Sequence, residues 1–294
     1  MTENEFNELR PSAFAIAYRM LGSVSEAEDI VQEALLRMHL VLERGEQIES
    51  PRAYVSTVVT RLAIDQLRSA RVRRESYVGE WLPEPLVDVG RSDPADQAEV
   101  ADSLSLAFLV LLESLTPEQR AAFLLREVFD YPYSEISSII GTSEDNARQL
   151  VARARKRVDE GRPRFEASRE RRDELADRFM AAIGDGDMHA LEELLAEDVV
   201  LHGDGGGRVR AITRPIRGRT RAARALLAWM RSHERSGGWS LQPVHVNGQP
   251  GALVSDAAGA VLGVAVLDIA DGHIQAVHSV VNPDKLRHIG ADPG

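Results

Sequence analysis

"YSEISSIIGTSEDNARQLVARARKRV", Tyr133 to Val158, decides how this chain is read. Ile136, Ile139 and Ile140 recur at three- and four-residue steps and give a first helix one apolar face. Gly141 permits a tight turn, and Thr142, with Asp145 three residues on, is placed to cap a second helix. On that second helix Ala147, Leu150, Val151, Ala154 and Val158 form a buried stripe, while Arg148, Gln149, Arg153, Lys156 and Arg157 face outward. A helix-turn-helix has this composition: an apolar back, Arg and Gln able to reach base edges in a major groove, and distal basic residues for phosphates. The plain alternative is a helical hairpin with a solvated basic face, and Glu144 and Asp145, close to where phosphates would lie, favour it.

Working back along the chain, "SLTPEQRAAFLLREVF" opens a helix with Thr116 as cap, Pro117 at the first position and Gln119 closing the box. Asp93–Pro94 is expected to open another. Further back, "PSAFAIAYRMLGSVSEAEDIVQEALLRMHLVL" is helical by its periodicity, with Ser25 and Glu28 as a capping box. Ser50 and Pro51 start a third helix. On it Arg52, Arg61, Arg68, Arg71, Arg73 and Arg74 are opposed only by Asp65, and Tyr54, Thr57 and Thr60 are interleaved. Such a face can follow a DNA backbone and hold an unstacked base. Two DNA-contacting helical units suggest a protein that reads two separated DNA elements. Between them "SYVGEWLPEPLVDVGRSDPAD", Ser76 to Asp96, has prolines at 83, 85 and 94 and no period, so it is a linker. Its Trp81, Leu82 and Leu86 are apolar and need somewhere to dock.

From about Arg169 the character changes. Two helices precede the short runs "VVLHG", "WSLQPVHVNG", "GALVSDA", "AVLGVAVLDIA" and "HIQAVHSVVN", which are β-branched and bounded by turn residues. "GRTRAARALLAWMRSHER" is a helix between them. This predicts helices packed on a curved antiparallel sheet, an α+β domain.

The whole chain bounds these readings. It has 294 residues, room for two or three domains, and a net charge of −11, which argues against a nonspecific polyanion binder and leaves nucleic-acid contact to local basic faces. The absence of cysteine excludes disulfides and thiolate metal sites and points to a reducing cytoplasm. The start "MTENEFNELR" is not a secretory signal, and no apolar run approaches a membrane span.

These segments together resemble the extracytoplasmic-function RNA polymerase sigma factors. "AYRMLGSVSEAEDIVQEALLRM" resembles the sigma-2 segment that binds the clamp helices of the polymerase β′ subunit, with Asp29, Gln32 and Glu33 on its DxxQE-like pattern. "SPRAYVSTVVTRLAIDQL" resembles the helix that recognises and helps open the −10 element. That assigns −10 contacts to Arg52, Tyr54, Thr57, Thr60, Arg61 and Arg68. "LTPEQRAAFLLREVFDYPYSEISSIIGTSEDNARQLVARARKRV" resembles the sigma-4 helix-turn-helix that reads the −35 element, through Arg148, Gln149, Arg153, Lys156 and Arg157. The remainder resembles the sigma-J-like subgroup, which ends in a SnoaL-like domain of the nuclear-transport-factor-like cone fold. "WLPEPL", "DGGGR" (where the family usually closes on Lys) and "NPDKL" carry that likeness. The resemblance implies two all-α sigma domains, the second a helix-turn-helix, and an α+β cone. The boundaries are 1–76 for sigma-2, 77–103 for the linker, 104–163 for sigma-4 and 168–294 for the cone. The implied partners are core RNA polymerase, through the β′ clamp helices and the β flap, and promoter DNA. No membrane partner or cofactor is implied, and a monomer is expected. In the subgroup the cone is thought to modulate sigma activity.

The alternatives are a one-component transcription factor with a ligand-sensing cone and a bifunctional enzyme, since cone folds also host enzymes. An enzyme needs a positioned acid or base. Strand alternation puts Ile274, Ala276, His278 and Val280 on one face, which would aim His278 into the cone, and His202 and Asp204 lie near a strand end. A lone histidine on an apolar face is more often a core residue, and neither paired carboxylates nor metal-ligand spacing is present. A small-molecule pocket remains open. "HGDGGGRVRA", His202 to Ala211, follows a strand and lacks a P-loop's Gly-Lys-Ser/Thr ending, so it is no phosphate cradle. It is a plain turn or a docking surface. In the second case Gly205, Gly206 and Gly207 let another backbone come close, and Asp204 and Arg208 orient it. Asn282 caps a terminal helix begun by Pro283, which either simply closes the fold or brings Asp284 or Lys285 to the linker or the glycine loop. Trp81, Leu82 and Pro83 are the linker's share of such a latch.

Overall fold

Three long helices open the chain: α1 (Glu3–Leu21), α2 (Val24–Glu43) and α3 (Pro51–Glu75). The computed structural model describes residues 3–75, 77–88, 103–161, 168–234 and 238–289. Pro11 lies inside α1 rather than at its start. Proline forfeits one amide donor there, but the buried Ala13, Ile16, Ala17, Tyr18, Met20 and Leu21 hold the helix down beyond it. Ser23, not Ser25, caps α2: its Oγ accepts from Glu26 N at 3.2 Å, and Ser25 Oγ is its hydrogen-bond partner. Ser50 Oγ accepts from Ala53 N at 3.3 Å and caps α3.

Four helices follow: α4 (Leu106–Leu112), α5 (Pro117–Glu127), α6 (Tyr133–Ile140) and α7 (Glu144–Gly161). The helix expected at Asp93–Pro94 lies outside the described residues. Thr116 and Gln119 make a reciprocal capping box on α5. Gly141 ends α6 at φ 76°, a left-handed cap that glycine adopts without strain. Ser143 Oγ, rather than Thr142, caps α7 by accepting from Asn146 N at 3.3 Å. Thr142 instead accepts from the Asn146 side chain. The chain divides into two units, and residues 1–76 with 109–162 form the first. In its helix-turn-helix portion Ala122, Leu125, Ile136, Ile139, Ala147 and Val151 make one core.

The second unit comprises 77–108 and 163–294. Its elements are β1 (Val87–Asp88), α8 (Arg169–Gly184), α9 (Met188–Leu194), β2 (Leu195–Asp204), β3 (Ile216–Arg217), α10 (Arg219–Glu234), β4 (Trp239–Val246), β5 (Gln249–Asp256), β6 (Val261–Ala270), β7 (His273–Val280) and a 3-10 turn at Pro283–Lys285. The strands form one sheet in the order β1-β4-β5-β6-β7-β2-β3. The sheet is mixed, not purely antiparallel, because β2 runs parallel to β7, with His202 opposite His278. No hairpin joins that pair, so nothing forces it antiparallel. Phe179, Ile183, Leu227 and Met230 from α8 and α10 pack on Leu201, Leu267 and Val277 of one sheet face.

Two features were not expected from sequence. The linker supplies a strand: Val87 and Asp88 pair with Val246 and His245 at the sheet edge. In addition, Ile274 pairs with Ile269 and Ala276 with Asp268, which leaves Gln275 as a bulge between β6 and β7. One extra residue exchanges the faces of everything beyond it. Val277, Ser279 and Val281 therefore face the helices, and His278 faces away from them.

Candidate functional site

On α2, Asp29 and Gln32 are exposed, and Glu33 is half-buried and paired with Arg37 at 2.7 Å. A groove of about 400 Å³ between α2 and α3 is lined by Glu26, Asp29, Glu33 and Asp65 together with Ile30, Leu62 and Gln66. Four carboxylates around an apolar floor suit a basic partner helix.

The α3 face is only partly available. Arg52 is exposed and Tyr54 half-buried. Thr57 donates its hydroxyl to Ala53 O at 2.8 Å. Thr60 is fully buried in this structure, one helical turn from the buried Ser56, whose hydroxyl is hydrogen-bonded to Tyr131. Arg61 donates Nε to Ile139 O and Nη2 to Ser138 O, both at 2.9 Å, and so covers the carbonyls at the end of α6. Arg68 pairs with Glu118 of α5 at 2.7 Å and with Asp65 at 3.2 Å. Its hydrogen bond to Glu118 holds the Arg68 pKa above its ordinary value. Tyr131 OH donates to or accepts from Ser56 Oγ at 2.9 Å. Beneath them the wholly buried Arg120 donates Nε to Arg19 O and Nη1 to Glu113 at 2.5 Å. Burial pulls the Arg120 guanidinium down to about 9, and Glu113 is its ion-pair partner. Two of the six residues expected at the −10 element are therefore engaged with the helix-turn-helix portion of the same unit. Arg71, Arg73 and Arg74 lie outside the described side chains.

On α7, Gln149, Arg153, Lys156 and Arg157 are exposed on one side, with Arg153 donating to Gln149 Oε1 at 3.2 Å. Arg148 is exposed as well but paired with Glu144 (2.8 Å) and Asp145 (3.0 Å), and it stacks 5.2 Å over Tyr133. The acidic residues at the start of α7 thus neutralise its first arginine.

In the second unit the linker, the glycine loop and the terminal turn meet. Asp204, at the end of β2, is fully buried. Its Oδ1 accepts from Tyr77 OH at 2.6 Å and Gly206 N at 3.0 Å, and its Oδ2 accepts from Leu82 N at 2.8 Å and Lys285 Nζ at 2.7 Å. The buried Lys285 also donates to Leu82 O. Both backbone groups of Leu82 are thus gripped by one ion pair. The Lys285 ammonium lies 4.1 Å from the Trp81 ring centroid and 5.2 Å from that of Tyr77, which are cation–π contacts. Burial, then the hydrogen bond to Asp204, raises the Tyr77 pKa well above its ordinary value of 10. Arg208 donates to Asp284 at 2.9 Å. Leu82, Pro83, Glu84 and Pro85 are buried. Asn247 donates its backbone N–H to Leu86 O at 2.8 Å and accepts from Leu86 N at 2.9 Å.

The glycine loop admits side chains rather than a backbone. A Cβ on Gly206, at φ 59°, would sit 2.2 Å from Asn282 Nδ2, and one on Gly207 would sit 3.1 Å from Val78 Cβ. Gly205 is packed against its own turn, at Ala211. The terminal helix is only a 3-10 turn, in which Asn282 Oδ1 accepts from Asp284 N at 3.0 Å and Asn282 Nδ2 donates to Tyr77 OH at 2.9 Å. Sequence reasoning missed Tyr77, Asn247 and the anchoring half of Asn282. The available signal was an aromatic residue and two asparagines flanking proline-rich or turn segments, which is too common to single them out.

His278 does not point into the cone. Its Nε2 donates to Asp268 Oδ2 at 2.7 Å, and its ring stacks on His202 at 4.8 Å on the opposite sheet face, where Glu80 of the linker reaches His202 Nδ1 at 3.1 Å. The bulge at Gln275 causes the reversal. Among the described residues, no group of three or more His, Asp or Glu side chains could hold a metal ion.

Comparison with known proteins agrees with this architecture. The sequence models for Sigma-70 region 2, Sigma-70 region 4 and the SnoaL-like domain match residues 6–73, 105–158 and 176–277. The chain is 37% identical to the ECF RNA polymerase sigma factor SigJ of Mycobacterium tuberculosis, over 97% of this chain and 93% of that protein. It is 33% identical to the probable ECF sigma factor SigI of the same species, over 95% and 92%. The crystal structure of M. tuberculosis SigJ superposes with a TM-score of 0.77 at 35% identity, covering 97% of this chain and 98% of that one. The described residues contain no helix long and apolar enough to cross a membrane. With both sigma regions and the SnoaL-like domain present in this order, the chain belongs to the extracytoplasmic-function RNA polymerase sigma factors: it is a transcription initiation factor and not an enzyme.

Proposed function

We propose that this sigma factor is restrained by its own carboxy-terminal domain, which holds the linker between the two promoter-reading regions. The carrying observation is the grip of Asp204 and Lys285 on the backbone of Leu82. In sequence the held segment lies between α3 and α4. Fixing its middle shortens the free tether available to regions 2 and 4 and so raises their effective concentration for each other. Contacts by Arg61 and Arg68 then keep the first unit closed and withhold those cations from DNA.

In this reading the acidic groove around Asp29, Gln32 and Glu33 docks on the basic clamp helices of the β′ subunit. Region 4 meets the −35 element and the β flap through α7, where Gln149 and Arg153 reach base edges and Lys156 and Arg157 take phosphates. Arg148 joins them after leaving Glu144 and Asp145. Arg52, Tyr54 and Thr57, with Arg61 and Arg68 once released, face the opened −10 strand. Polymerase binding favours the open arrangement because only that arrangement offers both surfaces.

Run-off transcription by core polymerase from DNA upstream of the protein's own gene tests the restraint. The double variant Asp204→Asn/Lys285→Met, which removes both latch charges together, is expected to give several-fold more transcript than the parent. Equal or lower yield from a folded variant refutes the restraint. Asp29→Lys with Glu33→Lys is expected to abolish core binding in both backgrounds.

A further inference from the structure

Between the helices and the inner sheet face of the second unit lies a cavity of about 100 Å³. Its walls are apolar: α8 contributes Phe179 and Met180, and α10 contributes Trp229 and Met230. The strand side mixes sizes: Ala252, Ala265 and Ser279 leave room beside the larger Leu201, Leu241, Val254 and Val277, and Gly203 and Ala211 complete the wall. Protein interiors close-pack, and a dry apolar void forfeits contacts along its whole lining. Further apolar side chains reach the same space from both layers, among them Ile183 and Leu226 from the helices, so the void is not a gap at the edge of the core.

We infer that this cavity is a binding site for a small, neutral, predominantly apolar molecule with at most one polar group. No charged side chain lines it, so an ion entering would lose its hydration with nothing in return. Apart from the Trp229 indole, the Ser279 hydroxyl is the lone polar side chain in the wall, and it can orient a single hydroxyl or carbonyl. The volume is about two-thirds of the ~150 Å³ engineered apolar cavity that stays dry and takes benzene, so a ring of five or six heavy atoms is the upper limit. The site differs from the His202–His278 stack, which lies on the other face of the sheet.

Its position joins it to the latch. Gly203 in the wall is followed directly by Asp204, and Val281 in the wall by Asn282, and Val281 N donates to Asp204 O at 2.8 Å. A molecule pressing on either wall residue is one peptide from the groups that grip Leu82 and Tyr77. This coupling rests on the latch reading of the preceding section. The binding itself does not.

The test uses the full-length chain with its methionine methyls labelled with ¹³C and its amides with ¹⁵N, titrated with cyclopentanol and, in parallel, with the size-matched cyclopentylammonium ion. Of the six methionines, Met180 and Met230 line the cavity, and their resonances report occupancy independently of transcription. Saturable shifts of these two methyls are expected with the alcohol and not with the ammonium ion. Ala265→Leu and, separately, Ala225→Leu fill the space, and each is expected to weaken alcohol binding at least tenfold while melting no lower than the parent. The proposal is overturned if the alcohol gives no saturable shift, if the ammonium ion binds equally well, or if a folded filled variant binds like the parent. A Leu82 amide shift that saturates with the methyl shifts supports the coupling, and binding that leaves Leu82 unmoved refutes it without touching the sigma assignment.

Discussion

At the scale of single residues, Lys285 and Asp204 dominate, because each leaves the other's charge buried when it is lost. Lys285→Met alone strands a carboxylate with no exposure to water, a loss expected to cost about 3–5 kcal/mol in urea unfolding. The double variant with Asp204→Asn is expected to cost clearly less, since no unpaired charge remains. Equal costs would mean the pair carries no mutual stabilisation. Tyr77 makes a pH prediction. Its folded pKa lies above the ordinary 10, owing to burial and the Asp204 bond. The unfolded phenol therefore ionises first, and the stability it contributes is complete below pH 10 and declines as pH rises above that value. Denaturant titrations on both sides of pH 10 are expected to show a steeper alkaline loss for the parent than for Tyr77→Phe. Parallel losses would show that Tyr77 is not protected.

At the scale of elements, the joint between α1, α4 and α5 rests on Arg120, whose guanidinium is buried against Arg19 O and Glu113. Glu113→Ala leaves a buried cation without its counter-charge and is expected to cost about 3–5 kcal/mol, whereas Glu113→Gln keeps one hydrogen bond and is expected to cost less. Equal unfolding midpoints for both variants and the parent would show Arg120 to be compensated elsewhere. The same scale shows what was legible in the sequence. Helices were, because a 3.6-residue period with Thr116–Gln119 or Ser50 at its start states the fold locally; the differences were which of two neighbouring hydroxyls makes the cap and a terminal helix that is only a 3-10 turn. The latch was half legible. "DGGGR", "WLPEPL" and "NPDKL" announce themselves by composition, but their meeting depends on a sheet that places β2 beside β7. The bulge at Gln275 was not legible, because nothing in "HIQAV" marks where alternation slips, and that one residue moved His278 to the other face. The burial of Thr60 was not legible for a related reason: residue type says nothing of the phase on α3 that puts it on a covered face of the first unit.

At the scale of the whole molecule, the net charge of −11 and the closed first unit point the same way. A chain that engages Arg61, Arg68 and Arg148 with its own helices is expected to hold DNA weakly until polymerase supplies the missing affinity. The latch controls this only if holding residues 77–88 keeps α3 and α7 near one another within that unit. The absence of cysteine lets spin labels be placed at will. With labels at Ser69→Cys and Asp159→Cys, both on exposed helix positions, pulsed electron resonance of the full-length chain reads the α3–α7 distance distribution directly. One short, narrow distance is predicted for the parent, with a longer, broader one both for Asp204→Asn/Lys285→Met and for the parent bound to core polymerase. An unchanged short distance in the folded double variant would contradict the account.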